Sequence, residues 1–210
     1  MSQTSAITPH DQAPMSHRAV LEALSGLLLA MFVAMLSSTV LSNALPVIVA
    51  DLHGTESGYT WVMASMLLAM TATTPIWGKL ADLFNKKLLV QVSLSIYVIG
   101  SIYAGLSTSM GMLLSARVVQ GIGVGGLMSL VQIVIATIVS PRERGRYSGY
   151  LGAIFAVATV SGPLIGGVIV DTDFLGWRWC LGVGVPFAAI AFVVLQKTLH
   201  LPTVKRENVK

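Results

Sequence analysis

The sequence predicts an all-α membrane protein in which six transmembrane helices form one bundle. Three observations predict it. First, 54% of the 210 residues are hydrophobic and only 10% are charged, against roughly 25% charged in a soluble domain, and the mean hydropathy is +0.78. Second, six apolar runs each come near the roughly 20 residues needed to cross about 30 Å of hydrocarbon. Third, lysine and arginine gather in alternate connections. The net charge of +4 would also suit nucleic acid, but the basic residues sit in short clusters between apolar runs rather than on one face. That distribution suits the anionic cytoplasmic leaflet, so the bilayer is the expected partner and nucleic acid is not.

The elements follow in order. Residues 1–20 are polar, contain Pro9 and Pro14, and read as a disordered cytoplasmic leader. The first apolar run is longer than a signal-peptide h-region and has no A-x-A-like site in the expected place, so it is not read as a cleaved signal. Residues 21–200 form the bundle, with spans near Leu24–Val49, Tyr59–Leu80, Leu88–Leu106, Leu113–Val139, Tyr147–Val170 and Trp179–Leu195. Residues 201–210 are a cytoplasmic tail, or the start of a linker to a second bundle outside this chain. The connections at 51–58 and 107–110 carry no lysine or arginine. Lys79, Lys86 and Lys87 fall between spans two and three, Arg142, Arg144 and Arg146 between four and five, and Lys197, Lys205, Arg206 and Lys210 after six. With Arg18 ahead of span one, this places both termini in the cytoplasm; Arg178 is the exception outside the membrane. The cell membrane is the expected location. Cys180 is the only cysteine, so no internal disulfide can form.

Span four holds the most informative stretch, Arg117-Val118-Val119-Gln120-Gly121-Ile122-Gly123-Val124-Gly125-Gly126. Arg117 is the only charged residue between Met110 and Val139. A charge at the bilayer centre costs roughly 2.5–3.5 kcal/mol on insertion scales, so such groups face a bundle interior or a water-filled path. Arg117 and Gln120 are therefore the expected central polar network. Gly121 and Gly123, with the glycines that follow, let a neighbouring helix approach closely.

Two connections carry further signals. Ser140-Pro141-Arg142-Glu143 has the form of a capping box, with serine at the cap, proline at the first helical position and glutamate at the third. A short cytoplasmic helix is expected there. Gly78-Lys79-Leu80-Ala81-Asp82-Leu83-Phe84-Asn85-Lys86-Lys87 reads as a tight turn after a glycine, a carboxylate at the membrane edge and two lysines that hold the loop in the cytoplasm. Taken alone it is as well explained by a positive-inside clamp as by a gating loop of Gly78, Asp82, Lys86 and Lys87.

That loop resembles the G-x-L-A-D-R-x-G-R-K loop of the major facilitator superfamily, with Leu83 at the usual arginine and Asn85 at the usual second glycine. Asparagine tolerates the left-handed conformation, so the turn is expected to survive. The Arg117 stretch is similar to the superfamily's R-x-x-Q-G-x-G pattern. Ser161-Gly162-Pro163-Leu164-Ile165-Gly166-Gly167 resembles the G-P-x-x-G-G signature of its antiporter branches, where Pro163 can kink the helix and Gly162, Gly166 and Gly167 permit close packing. The stretch from Leu36 to Pro46 and Gly176-Trp177-Arg178-Trp179 look like the fourteen-span drug:proton antiporters. The resemblance implies a transporter built of two six-helix bundles that alternate access to a central site, each bundle a 3+3 inverted repeat. This chain supplies one, so its expected partner is a complementary C-terminal bundle or a second copy of itself. Many relatives place an aspartate in helix one where this chain has Ser37. A serine takes up no proton, so a proton gradient as the driving force would act through Arg117 with a carboxylate from Asp51, Asp82 or Asp171, or through the absent half.

A small lipophilic substrate is expected. Asn43, Gln132, Met35 and Trp61 are candidates for its cavity, with other methionines and Trp77 forming a soft lining. Lipid-facing packing, an interfacial belt of Trp61, Trp177 and Trp179, and interhelical hydrogen bonding account for the same residues equally well. The function expected is the N-terminal half of a multidrug-type efflux transporter, with a truncated non-transporting fragment or a modulatory partner of a full-length relative as the alternative. No nucleophile–base pair, phosphate loop or metal cluster is visible, so an enzyme is not expected, and neither is a metal or an organic cofactor.

The Lys/Arg asymmetry makes a direct prediction. Single cysteines at Ser57 and Ser109 should react with an impermeant thiol reagent on intact cells, and one at Ser148 should not. Labelling at Ser148 would overturn the orientation.

Overall fold

The computed structural model describes residues 17–170, 172, 176–182 and 184–198; the expected leader before His17, the tail after Thr198 and Asp171 lie outside them. The described chain is all-helical: α1 (His17–Asp51), α2 (Glu56–Leu83), α3 (Lys86–Gly105), α4 (Met110–Ile138), α5 (Arg144–Val170), α6 (Arg178–Gly182) and α7 (Gly184–Thr198). The sixth expected span is described in two stretches, Arg178–Gly182 and Gly184–Thr198, with Val183 outside the described residues. Among the described residues five stretches are long and apolar enough to cross a membrane: α1, α3, α4, α5 and the run Arg178–Thr198. The second helix is long enough at 28 residues but is diluted by Ser65, Thr60, Thr71, Thr73, Thr74 and Pro75. At 1.5 Å per residue the 35-residue α1 is roughly 50 Å long, so it runs well past the hydrocarbon.

Local chemistry sets the helix starts. The side chains of Thr55, Asn85 and Ser109 accept hydrogen bonds from Gly58, Lys87 and Met112 and cap α2, α3 and α4, satisfying donors that helix geometry leaves free. Three expectations are corrected here. Gly78 lies inside α2, not before a turn, and the chain reverses at Phe84 and Asn85. Asn85 is extended (φ −64°, ψ 121°), because its side chain is committed to capping α3, and needs no left-handed conformation. The stretch 141–143 is a turn that runs straight into α5 and not a separate helix: the Ser140 hydroxyl meets the Glu143 carboxylate at 3.0 Å in place of a backbone N–H.

Packing centres on α4, which lies between α2 and α3, while α1 packs against α5 and α7. Glycines bring α4 this close. A Cβ on Gly123 would sit 2.6 Å from the Tyr97 backbone nitrogen of α3, and one on Gly125 would sit 2.7 Å from the Met70 carbonyl of α2; Gly121 meets the Met66 carbonyl more tightly still. From the facing side, a Cβ on Gly100 would come 2.8 Å from the Gln120 nitrogen. The glycines of α4 therefore face two neighbours in turn. In α5, Gly162 abuts Thr39 and Gly166 lies against the Val40 carbonyl, but Gly167 has open space around it, so its expected packing role is not met within this bundle.

A methyl group at Gly123 must push backbone atoms apart, which costs about 1–3 kcal/mol for overpacking. Gly123→Ala should lower the thermal unfolding midpoint of the detergent-purified chain. Gly152→Ala, at a position with nothing within 4 Å, should leave it unchanged or raise it slightly through helix propensity.

Candidate functional site: a polar layer between two apolar cores

The buried apolar residues fall into two clusters. One gathers Val20–Ala34 of α1 with Leu89–Tyr97 of α3 and Val124–Ile135 of α4. The other gathers Leu36–Ile48 of α1 with Ala104 of α3 and Leu113 and Ala116 of α4. Between them, at the same level on each helix, lie the buried polar side chains Ser37, Ser101, Arg117 and Gln120, with Tyr97 at the edge of the first cluster.

Arg117 is 3% exposed and Gln120 2%. The Arg117 Nη1 donates to Gln120 Oε1 at 2.8 Å, as two residues three apart on a helix can. Gln120 Nε2 donates to Ser101 Oγ at 2.9 Å, and Ser101 Oγ donates to the Tyr97 carbonyl at 2.9 Å. The amide thus relays from the guanidinium of α4 to α3. Three side-chain atoms in the layer are sealed and without a hydrogen-bond partner: Ser37 Oγ, Tyr97 Oη and Arg117 Nε. A Cβ on Gly184 of α7 would fall 2.9 Å from Tyr97 Oη and closer still to Ser37 Oγ, so these hydroxyls stand near each other across the Gly184 backbone.

The sequence signals Arg117 and Gln120, and they meet as expected. Ser37 is flagged only for the carboxylate it lacks. Tyr97, Ser101 and Gly184 are missed, although Ser93, Tyr97 and Ser101 recur every four residues along α3 and so share one face.

The remaining candidates are dispersed. Asn43 is exposed and donates to the Pro163 carbonyl at 3.1 Å, and Thr39 reaches the Ala158 carbonyl at 3.0 Å, so both tie α1 to the proline-bearing part of α5. Gln132 is exposed and makes no hydrogen bond among the described residues. Met35 is half-buried against both clusters, and Trp61 is exposed. Trp77 is no cavity-lining residue: it is buried and donates to the Ile122 carbonyl at 3.0 Å. Nor does Trp177 belong to an interfacial belt. It is buried, donates to Asp51 Oδ2 at 2.8 Å and lies under the Arg178 guanidinium, 4.5 Å from the ring centre.

At the opposite end of the bundle, Asp82 is exposed and forms no ion pair among the described residues. Arg144 donates to the Ala136 carbonyl at 2.9 Å and the Val139 carbonyl at 3.4 Å, closing the end of α4 where helix carbonyls lack partners. Lys87 is drawn to the Gln196 carbonyl at 2.8 Å, and Gln91 bonds the Gln196 side chain.

Comparison with known proteins places this geometry. Residues 27–210 match the family model of the Major Facilitator Superfamily. The chain is 42% identical over 183 residues to the efflux pump dotC of Dothistroma septosporum, covering 87% of this chain and 31% of that protein. It is 38% identical over 170 residues to the efflux pump FUS6 of Gibberella fujikuroi, covering 81% and 30%. The chain thus spans under a third of the length of these curated relatives. Among solved structures it is similar in fold to the human organic anion transporter MFSD10, with TM-score 0.72 at 18% identity, covering 90% of this chain and 48% of that one. A bacterial homologue of the human lysosomal transporter Spinster gives the same score at 20% identity, covering 88% and 43%.

Gln120 is the only side chain in the layer that accepts from the guanidinium. Gln120→Leu should therefore destabilise the chain by about 1–3 kcal/mol, the cost of orphaning a buried polar group, and more where that group is charged. Gln132→Leu should be near neutral. Thermal unfolding of the two variants side by side checks the contrast.

Proposed function

The chain belongs to the Major Facilitator Superfamily, and from that premise we propose that it forms the N-terminal six-helix bundle of an efflux transporter for small lipophilic compounds. The observation that carries this is the 42% identity to an efflux pump across 87% of the chain; the buried Arg117–Gln120 relay supplies a polar centre for such a machine. The bundle is read as a 3+3 inverted repeat, in which α1, α2 and α3 correspond to α4, α5 and the α6–α7 pair. The packing supports it. The α1–α5 pair is mirrored by α4–α2, and α3–α4 by the α1–α7 contact. With α2 as the second of six spans, both termini fall in the cytoplasm of a plasma-membrane protein.

Transport then proceeds by rocking this bundle against a complementary one, or against a second copy. The exposed Asp82 carboxylate is free to meet the positive end of a helix in the opposite bundle, an interaction of roughly 0.3–1 kcal/mol, while Lys87 anchors the same loop to the end of α7. Asn43, beside the opening made by Pro163, is the polar candidate for substrate contact. Proton antiport would draw its carboxylate from the complementary bundle, since the described acidic residues of this chain stand at helix ends.

The test is dye efflux from vesicles containing this chain co-assembled with the remaining part of a full-length relative, alongside the chain alone. Efflux is expected only from the assembly. Arg117→Ala and Arg117→Lys should both abolish it while inserting normally, because an ammonium cannot reproduce the planar fork. Efflux by a demonstrably monomeric chain would refute the half-transporter, and normal efflux by the alanine variant would refute the role of Arg117. An assembly that inserts but never transports would favour the modulatory alternative.

A further inference from the structure

We propose that the α1–α2 turn closes a binding pocket for a small monovalent organic cation, an ammonium carried on a compact apolar body. The inference rests on the residues around that turn and does not require that the chain transport anything. The pocket follows from the packing. Helix α1 is held mainly by α5 and α7, and α2 mainly by α4, so the two helices part where the short turn 52–55 joins them. They leave a cavity of about 490 Å³, lined by Pro46, Val49 and Ala50 of α1 and by Glu56, Tyr59 and Thr60 of α2. That volume falls in the range of roughly 300–1,000 Å³ common to small-molecule sites. The turn that closes it is firmly held. Gly54 donates to the Val49 carbonyl at 2.7 Å and His53 to the Ala50 carbonyl at 3.2 Å. A Cβ on Gly54 would sit 2.9 Å from Met110 Sδ at the start of α4, and one on Gly58 would sit 2.8 Å from the Met110 methyl. The wall is therefore fixed before any ligand arrives.

The lining selects the sign of the ligand. The Glu56 carboxylate makes no hydrogen bond or ion pair among the described residues, and residues 51–58 contain no lysine or arginine. The other carboxylate of this stretch, Asp51, is taken by Trp177. Arg178 is committed to the Trp177 ring and the Ser107 carbonyl, so it does not neutralise Glu56. A lone carboxylate beside a mostly apolar hollow favours a cation, and Tyr59, 38% exposed, adds the aromatic surface on which ammonium groups bind. Pro46, Val49 and Ala50 suit an apolar body. A hard metal ion would need several more oxygen ligands than the one free carboxylate supplies.

The experiment is isothermal titration calorimetry of the purified 210-residue chain in a non-ionic detergent. Phenyltrimethylammonium is the ligand and benzenesulfonate the anion of like body. The cation should bind saturably and the anion should not. Glu56 and Tyr59 are both exposed, so substitutions there are expected to leave the fold intact. Glu56→Gln and Tyr59→Leu should each raise the Kd about two- to fivefold, the size of a solvent-accessible ion pair or cation–π contact, and together about tenfold. Tyr59→Phe keeps the ring and should bind as the parent chain does. Absence of saturable binding to the parent chain would overturn the proposal. So would equal binding of benzenesulfonate, or undiminished binding in the double variant, which would mark a site elsewhere. Dihexanoyl phosphatidylcholine presents the same trimethylammonium on a lipid and should not displace the ligand; displacement would assign the pocket to a lipid headgroup and overturn the free-cation reading. Binding is read without efflux, so failure of the transport reading would leave these outcomes unmoved.

Discussion

One constraint organises this bundle: a guanidinium must be kept in a layer about one helical turn thick between two apolar cores. Water cannot solvate Arg117, and no carboxylate among the described residues reaches it, so its stability depends on neutral acceptors placed with care. Gln120 is held one turn away on α4 and is itself held by Ser101 on α3. If α3 and α4 drifted apart, the relay would break at its second link and leave both a buried amide and a buried charge unsatisfied. Close approach of these two helices is therefore a condition of burying the charge at all.

The glycines meet that condition. Gly123 of α4 rests on the Tyr97 backbone and Gly100 of α3 rests on the Gln120 backbone, so the helices touch main chain to main chain at the polar layer. In a bilayer the contact cannot be driven by hiding apolar surface from water, because lipid is as apolar as leucine. Dispersion between closely fitted backbones and interhelical hydrogen bonds supply the attraction instead. Arginine, glutamine and glycine within seven residues of α4 thus form one device: the glycines bring α3 within reach of the amide, and the amide then accepts one of the guanidinium's hydrogens.

Much of this was legible in the sequence because the cost of an intramembrane charge is so large. Arg117 could not face lipid, Gln120 stands one turn on, and both are where that logic put them. The approximate helix limits were legible from the apolar runs, whereas the caps that set the starts of α3 and α4, Asn85 and Ser109, were not. What escaped was everything that depends on the far side of a contact. Tyr97 and Ser101 look like ordinary polar interruptions of α3 until α4 is laid against them. Trp177 has the composition of an interfacial residue, and only the return of the chain past the end of α1 supplies Asp51 as its partner. Asn85 misled for a related reason. A residue tolerant of the left-handed region is equally good at capping, and the helix that follows decided between the two.

The distribution of burial then separates the helices by task. In the most apolar window of α4, 56% of residues are buried, against 22% in α5. Val157, Val160, Leu164 and Val168 of α5 stand exposed, as do Trp61, Leu67, Leu68 and Ile76 of α2. Helix α4, bonded through its backbone contacts to α2 and α3, behaves as the spine of a rigid unit. Helix α5 is attached mainly along one edge, to α1, where Thr39 and Asn43 hold the carbonyls on either side of Gly162 and lead up to Pro163. A proline that breaks the helical bond ladder within a lightly packed helix makes a local hinge rather than a global weakness. Motion of this bundle is thus expected to be that of a stiff body, with what internal flexibility it has confined to α5 and to the seam that α7 makes with α1 and α3. That division lets a charged centre stay sealed while the surface around it changes neighbours.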